Sequence, residues 1–68
     1  MYVVMNAEKI EAMRQEHGLS RQELAERAGI ARETIARMER SERVRAKTAW
    51  KVARVFGLHP KAVGRPAR

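Results

Sequence analysis

The chain has 68 residues, and 15 Lys and Arg stand against eight acidic residues, all of them Glu, for a net charge of +7. That length supports one small hydrophobic core, which argues against an enzyme with a cleft of its own, and the charge favours an anionic partner. There is no Cys, the two imidazoles His17 and His59 lie 42 positions apart, and no apolar run approaches the roughly 18 residues of a membrane span, so we expect a soluble, cytoplasmic protein with no metal, no cofactor and no membrane partner.

Met1 to Met5, MYVVM, is too short and too poor in leading charge for a secretory signal and reads as an N-terminal apolar arm. Beyond it, apolar residues recur at helical spacing in punctuated blocks. A first helix is expected over Ala7 to His17, with Asn6 as N-cap, Ile10 and Met13 on one face and Gly18 as the stop. Ser20 precedes RQELAERA and has Glu23 three residues later, a capping box in which hydroxyl and carboxylate satisfy two orphan amides reciprocally. Leu24, Ala25 and Ala28 form the inner stripe of this second helix, and Gly29 ends it.

After Gly29, Ile30 and Ala31, a third helix runs from about Arg32 to Arg40, with Ile35 and Met38 inside and Arg32, Glu33, Ala36, Arg37 and Arg40 outside. Ser41 to Ala46 reads as a charged loop. Ala49, Val52, Ala53 and Phe56 then define a fourth amphipathic helix over Lys47 to Phe56, stopped by Gly57. Pro60 at a first helical position permits one more turn over residues 60–63. Residues 46–68 hold six bases and no acid, and 64–68 read as a basic flexible tail. The expected fold is all-α, a compact four- to five-helix bundle with the domain over 6–63, the arm over 1–5 and the tail over 64–68.

Two short helices joined by a Gly-containing link, the second with an Arg-bearing outer face, make the helix-turn-helix plan. Ala25 lets the helices approach, Gly29 tolerates a left-handed turn and Ile30 plugs the link into the core. GLSRQELAERAGIARETIARMER resembles the Xre family of helix-turn-helix regulators, the group of phage Cro and phage repressors. Gly18, Leu19, Ser20, Leu24, Ala25, Gly29, Ile30, Ile35, Met38 and Glu39 match the family pattern, and residues 48–58 are similar to its fourth helix. The sequence departs from it at Arg21, where Gln is usual, at Ala31, where Ser or Thr commonly caps the third helix, at Ser41 for Gly and at Ala46 for Pro.

The resemblance implies a bacterial or phage regulator that binds double-stranded DNA through the third helix. Carried over residue by residue, base reading falls on Arg32, Glu33 and Arg37, with Ala31 and Thr34 beside them. Their chemistry agrees: Arg offers a fork to guanine, Glu accepts from cytosine, and a methyl touches thymine. Glu33 and Arg37 also have the i,i+4 spacing of an ordinary surface ion pair. Phosphate contacts are expected from Ser20, Arg21 and Gln22 at the second helix N-terminus, and from Arg40, Arg43, Arg45 and Lys47 around the following loop.

Arg14 and Glu39 match a family salt bridge between the first and third helices, a structural feature that reads no base. Tyr2, Val3, Val4, Trp50, Val55 and Leu58 are a possible self-association surface for a homodimer on a pseudo-palindromic operator, while Trp50 alone is equally explained as a cap on the core edge. The alternative function is an antitoxin-like or adaptor module that binds a protein partner, with DNA binding secondary.

Overall fold

Four helices form where capping and periodicity place them. In the computed structural model, which describes residues 1–67, α1 spans Ala7–Glu16, α2 Arg21–Ala28, α3 Arg32–Glu39 and α4 Ala46–Val55, followed by a single 3-10 turn over Pro60–Ala62. Asn6 caps α1, its side chain accepting from the Lys9 amide at 3.1 Å. At α2 both halves of the capping box are made: the Glu23 amide donates to Ser20 Oγ at 3.0 Å and the Ser20 amide to Glu23 Oε1 at 2.9 Å. At α3 Ala31 offers no side-chain cap, the loss expected of a methyl at that position.

The all-α expectation is corrected by a three-stranded antiparallel sheet, β1 Tyr2–Met5, β2 Arg43–Arg45 and β3 Gly64–Pro66, in the order β2-β1-β3. Tyr2, Val3 and Val4 lie opposite Arg45, Val44 and Arg43. Val3, Val4 and Met5 lie opposite Pro66, Arg65 and Gly64. The segment read as an arm is thus the central strand, the charged loop contains β2, and the tail supplies β3. Arg68, the last residue of that tail, lies outside the described residues.

The strands escaped a periodicity reading because each is three or four residues long. Their partners also lie some forty to sixty positions apart in the chain. A window that spans several turns of helix cannot register so short an alternation.

Alternation puts Met5 and Val44 in the core, and Val3 against it, while Tyr2, Arg43, Arg45 and Arg65 face solvent. Met5, Ile10, Leu24, Ile35, Met38, Val52 and Val63 are the largest fully buried side chains, so the sheet and the helices share one core. Each such burial stabilises by about 1.5–3 kcal/mol. At Gly64 the strands approach so closely that a Cβ would meet Met5 Sδ and the Val4 carbonyl at 3.0 Å, which is why the residue opposite Met5 carries no side chain. Ser41, which stands where the family often has Gly, adopts φ 59°, a left-handed conformation that turns the chain from α3 into β2.

Candidate nucleic-acid interface

The α2–α3 link sets the geometry of the site. Gly29 takes φ 71°, ψ 36°, its amide donating to the carbonyls of Ala25 and Glu26, and Ile30 packs against the core while its amide reaches Ala25 O at 3.0 Å. Ala25 is buried at the crossing. A left-handed glycine followed by a plugged isoleucine redirects the chain in three residues, so that Ile35 and Met38 face inward and Arg32, Glu33 and Arg37 face solvent.

The orientation of α3 is then locked by Glu39, whose side chain is only 5% exposed. Arg14 Nε donates to Glu39 Oε2 at 3.0 Å and Arg14 Nη1 to the Leu19 carbonyl at 3.0 Å, tying α1 to the α1–α2 turn and to α3. Arg21 Nε and Nη2 both reach Glu39 Oε1 at 3.2 Å, so the arginine that departs from the family pattern adds an α2–α3 tether. Arg21 stays half exposed and borders a cleft of 310 Å³ lined by Arg14, Ser20, Arg21, Gln22 and Arg32. With Arg14 and Arg21 bonded to Glu39, it is Arg32, beside the half-exposed Arg21 and the amides of the α2 N-terminus, that offers a place for an anion. Among the described residues Arg32 has no carboxylate partner.

The spacing that allows a Glu33–Arg37 pair does not produce one. Arg40 Nη2 donates to Glu33 at 3.1 Å and Arg40 Nε to Glu42 at 2.7 Å. Arg37 pairs with Glu42 at 3.4 Å and donates to the Arg43 carbonyl at 3.3 Å. Glu42 can serve both arginines because Ser41 turns the chain back beneath α3. The hydrogen bond from Arg40 first, and then the nearby charges, hold the Glu42 carboxyl below its ordinary value, and the bonds to Glu42 and Glu33 raise Arg40 above its own. Thr34 is half-buried beside Arg37, and Ala31 is exposed ahead of α3. Lys47 lies exposed in the first turn of α4.

A profile of the helix-turn-helix family (HTH_3) matches residues 10–63. The chain belongs to the helix-turn-helix family. Among solved structures it is similar to SinR, described as the master regulator for biofilm formation, in complex with DNA, at 30% identity and TM-score 0.75, with 84% of this chain and 94% of that chain covered. It is also similar to a chain of the SinR–SinI protein complex, at 30% identity and TM-score 0.73, with 85% of this chain covered but only 58% of that longer chain. No curated protein matches it by sequence. Helix-turn-helix membership makes it a DNA-binding regulator and not an enzyme.

Of the residues expected for self-association, Val3 and Trp50 border one apolar depression. Val3, Val55 and Leu58 pack against the helix-turn-helix core, and Val4 is half-buried on the outer face of the sheet opposite Arg43 and Arg65. Trp50 is 47% exposed, its ring 5.0 Å from that of His59 in an edge-on arrangement. Tyr2 sits instead among arginines: Arg43 Cζ lies 5.1 Å and Arg45 Cζ 5.9 Å from its ring centre. Neither Tyr2 nor Glu42 was marked for this face by the sequence, since both arrive through strand register and the turn at Ser41. No helix among the described residues is long and apolar enough to cross a membrane, and no group of three His or Glu side chains there is placed to hold a metal.

Proposed function

We propose that this protein is a transcriptional regulator of the repressor type that binds double-stranded DNA sequence-specifically, with α3 in the major groove. The observation that carries the reading is the α2–α3 face, where Arg32, Glu33 and Arg37 project from a helix whose roll is locked by Glu39, next to the anion-ready cleft at the α2 N-terminus. Arg32 and Arg37 offer bidentate donors to guanine, Glu33 an acceptor to cytosine, and Thr34 and Ala31 methyl groups to thymine. Ser20, Arg21 and Gln22, with Arg40, Arg43, Arg45 and Lys47 on the far side, neutralise phosphates and set register. One such module makes few contacts, so a homodimer on a pseudo-palindromic operator, its recognition helices about 34 Å apart, supplies the affinity. The site of action is the nucleoid in the cytoplasm.

The test is selection of bound duplexes from a random pool, followed by titration of the selected duplex at rising salt. A two-fold-symmetric motif, bound in the presence of competitor DNA with a steep log-log salt slope, is the expected result. Weak binding indifferent to sequence would favour a second reading, an interaction module. That reading draws on the apolar depression of 170 Å³ bordered by Met1, Val3, Ala49, Trp50 and Pro60.

A further inference from the structure

The outer face of the small sheet is basic and aromatic. Residues opposite one another in an antiparallel pair share a face, so Tyr2 with Arg45, and Val4 with Arg43 and Arg65, all point away from the core. The Tyr2 ring holds Arg43 and Arg45 by cation–π contacts. No carboxylate answers these charges from their own element: Glu42 is the last acid in the sequence, and it is committed to Arg37 and Arg40. Between the sheet and the recognition helix runs a groove of 380 Å³ whose walls include Tyr2, Thr34, Arg37, Arg43, Arg45 and Thr48. Arg37 in this wall is held by Glu42 and the Arg43 carbonyl, whereas among the described residues Arg43 and Arg45 have no carboxylate partner and stand beside two hydroxyls and a phenol.

From this we infer that the Tyr2–Arg43–Arg45 face and its groove bind the phosphate backbone of the duplex flanking the bases read by α3. The inference rests on the DNA-binding reading and adds the N-terminal strand to the DNA footprint. Two observations select this occupant over a second copy of the chain. Arg37 belongs both to the reading face and to the groove, so a duplex engaged by α3 brings its backbone here. Two copies meeting through this face would oppose arginine to arginine. Tyr2 is a positioning residue: its ring spaces Arg43 and Arg45 so that both can meet phosphate oxygens.

The experiment compares wild type, Tyr2→Phe, Tyr2→Leu and Arg45→Gln on two duplexes carrying the same selected site, one trimmed to it and one extended by about one helical turn (~10 base pairs) at each end. On the extended duplex, Tyr2→Leu is expected to weaken binding about two- to fivefold, the scale of an exposed cation–π contact, while Tyr2→Phe retains it. Arg45→Gln lowers the salt slope by about one. On the trimmed duplex, which lacks the flanking phosphates, the loss in Tyr2→Leu disappears. Unchanged binding of Tyr2→Leu and Arg45→Gln to the extended duplex, with wild type binding it specifically, would overturn this inference alone. Loss of self-association in Tyr2→Leu without loss of DNA affinity would give the face to a second copy and overturn it too. A wild type that prefers no duplex would instead remove the underlying DNA reading.

Discussion

In the free protein Arg37 is held between the Glu42 carboxylate and the Arg43 carbonyl. To read a guanine it must exchange those partners for O6 and N7. Both ends of the exchange are charge-assisted, so the cost of leaving Glu42 is largely offset when the base matches and is not when it does not. Arg37→Ala is therefore expected to abolish preference among sites, a loss of about 1–3 kcal/mol of discrimination. Lys51→Ala, on the exposed side of α4, should leave that preference intact. Competition titrations with matched and mismatched duplexes measure both, and equal losses would contradict the assignment of the reading face.

At the scale of elements, Glu39 makes α1, α2 and α3 one rigid unit. It is nearly buried and takes four hydrogen bonds from Arg14 and Arg21, so neutralising it leaves the mostly buried Arg14 charge without its partner. Glu39→Gln is expected to cost about 2 kcal/mol in denaturant unfolding, with binding to all duplexes weakened together as α3 loosens. No loss of stability would mean that packing alone sets the roll of α3.

Acid acts on two other element ends. The Ser20 amide first, and its hydroxyl next, hold the Glu23 carboxyl below its ordinary 4.5, and Arg40 does the same for Glu42. Both groups bind protons more readily in the unfolded chain. Their stabilisation is therefore complete above about pH 4.5 and is lost as pH falls below it through the depressed folded values. The melting temperature should fall over that window, and less steeply in Glu23→Gln. An unchanged slope in that variant would show that the Glu23 carboxylate does not contribute to the acid dependence.

The whole molecule depends on its first strand. Met5 is fully buried and β1 separates the other two strands, so Met5→Ala is expected to cost about 3 kcal/mol by chemical denaturation. A free arm would tolerate that change. The helices were legible from the sequence because their signals are local: a Ser-x-x-Glu box, a Gly after each periodic block, and apolar residues three and four apart. Arg32, Glu33 and Arg37 were legible as a face for the same reason. The sheet was not, since Arg43-Val44-Arg45 shows its alternation for only three residues and its partner begins at Tyr2. Tyr2 and Glu42 followed from that blind spot: one enters the basic face by strand register, the other meets Arg37 only because Ser41 bends the chain.

The central claim is that the α2–α3 face meets DNA. It is tested most directly by mapping backbone and arginine side-chain NMR shifts while the selected duplex is added. The largest changes are expected at Ser20 to Gln22 and along Arg32 to Arg40, with Lys51 and Arg54 on α4 undisturbed. Changes centred on α4 or around Trp50, with Arg32 and Arg37 unmoved, would contradict it.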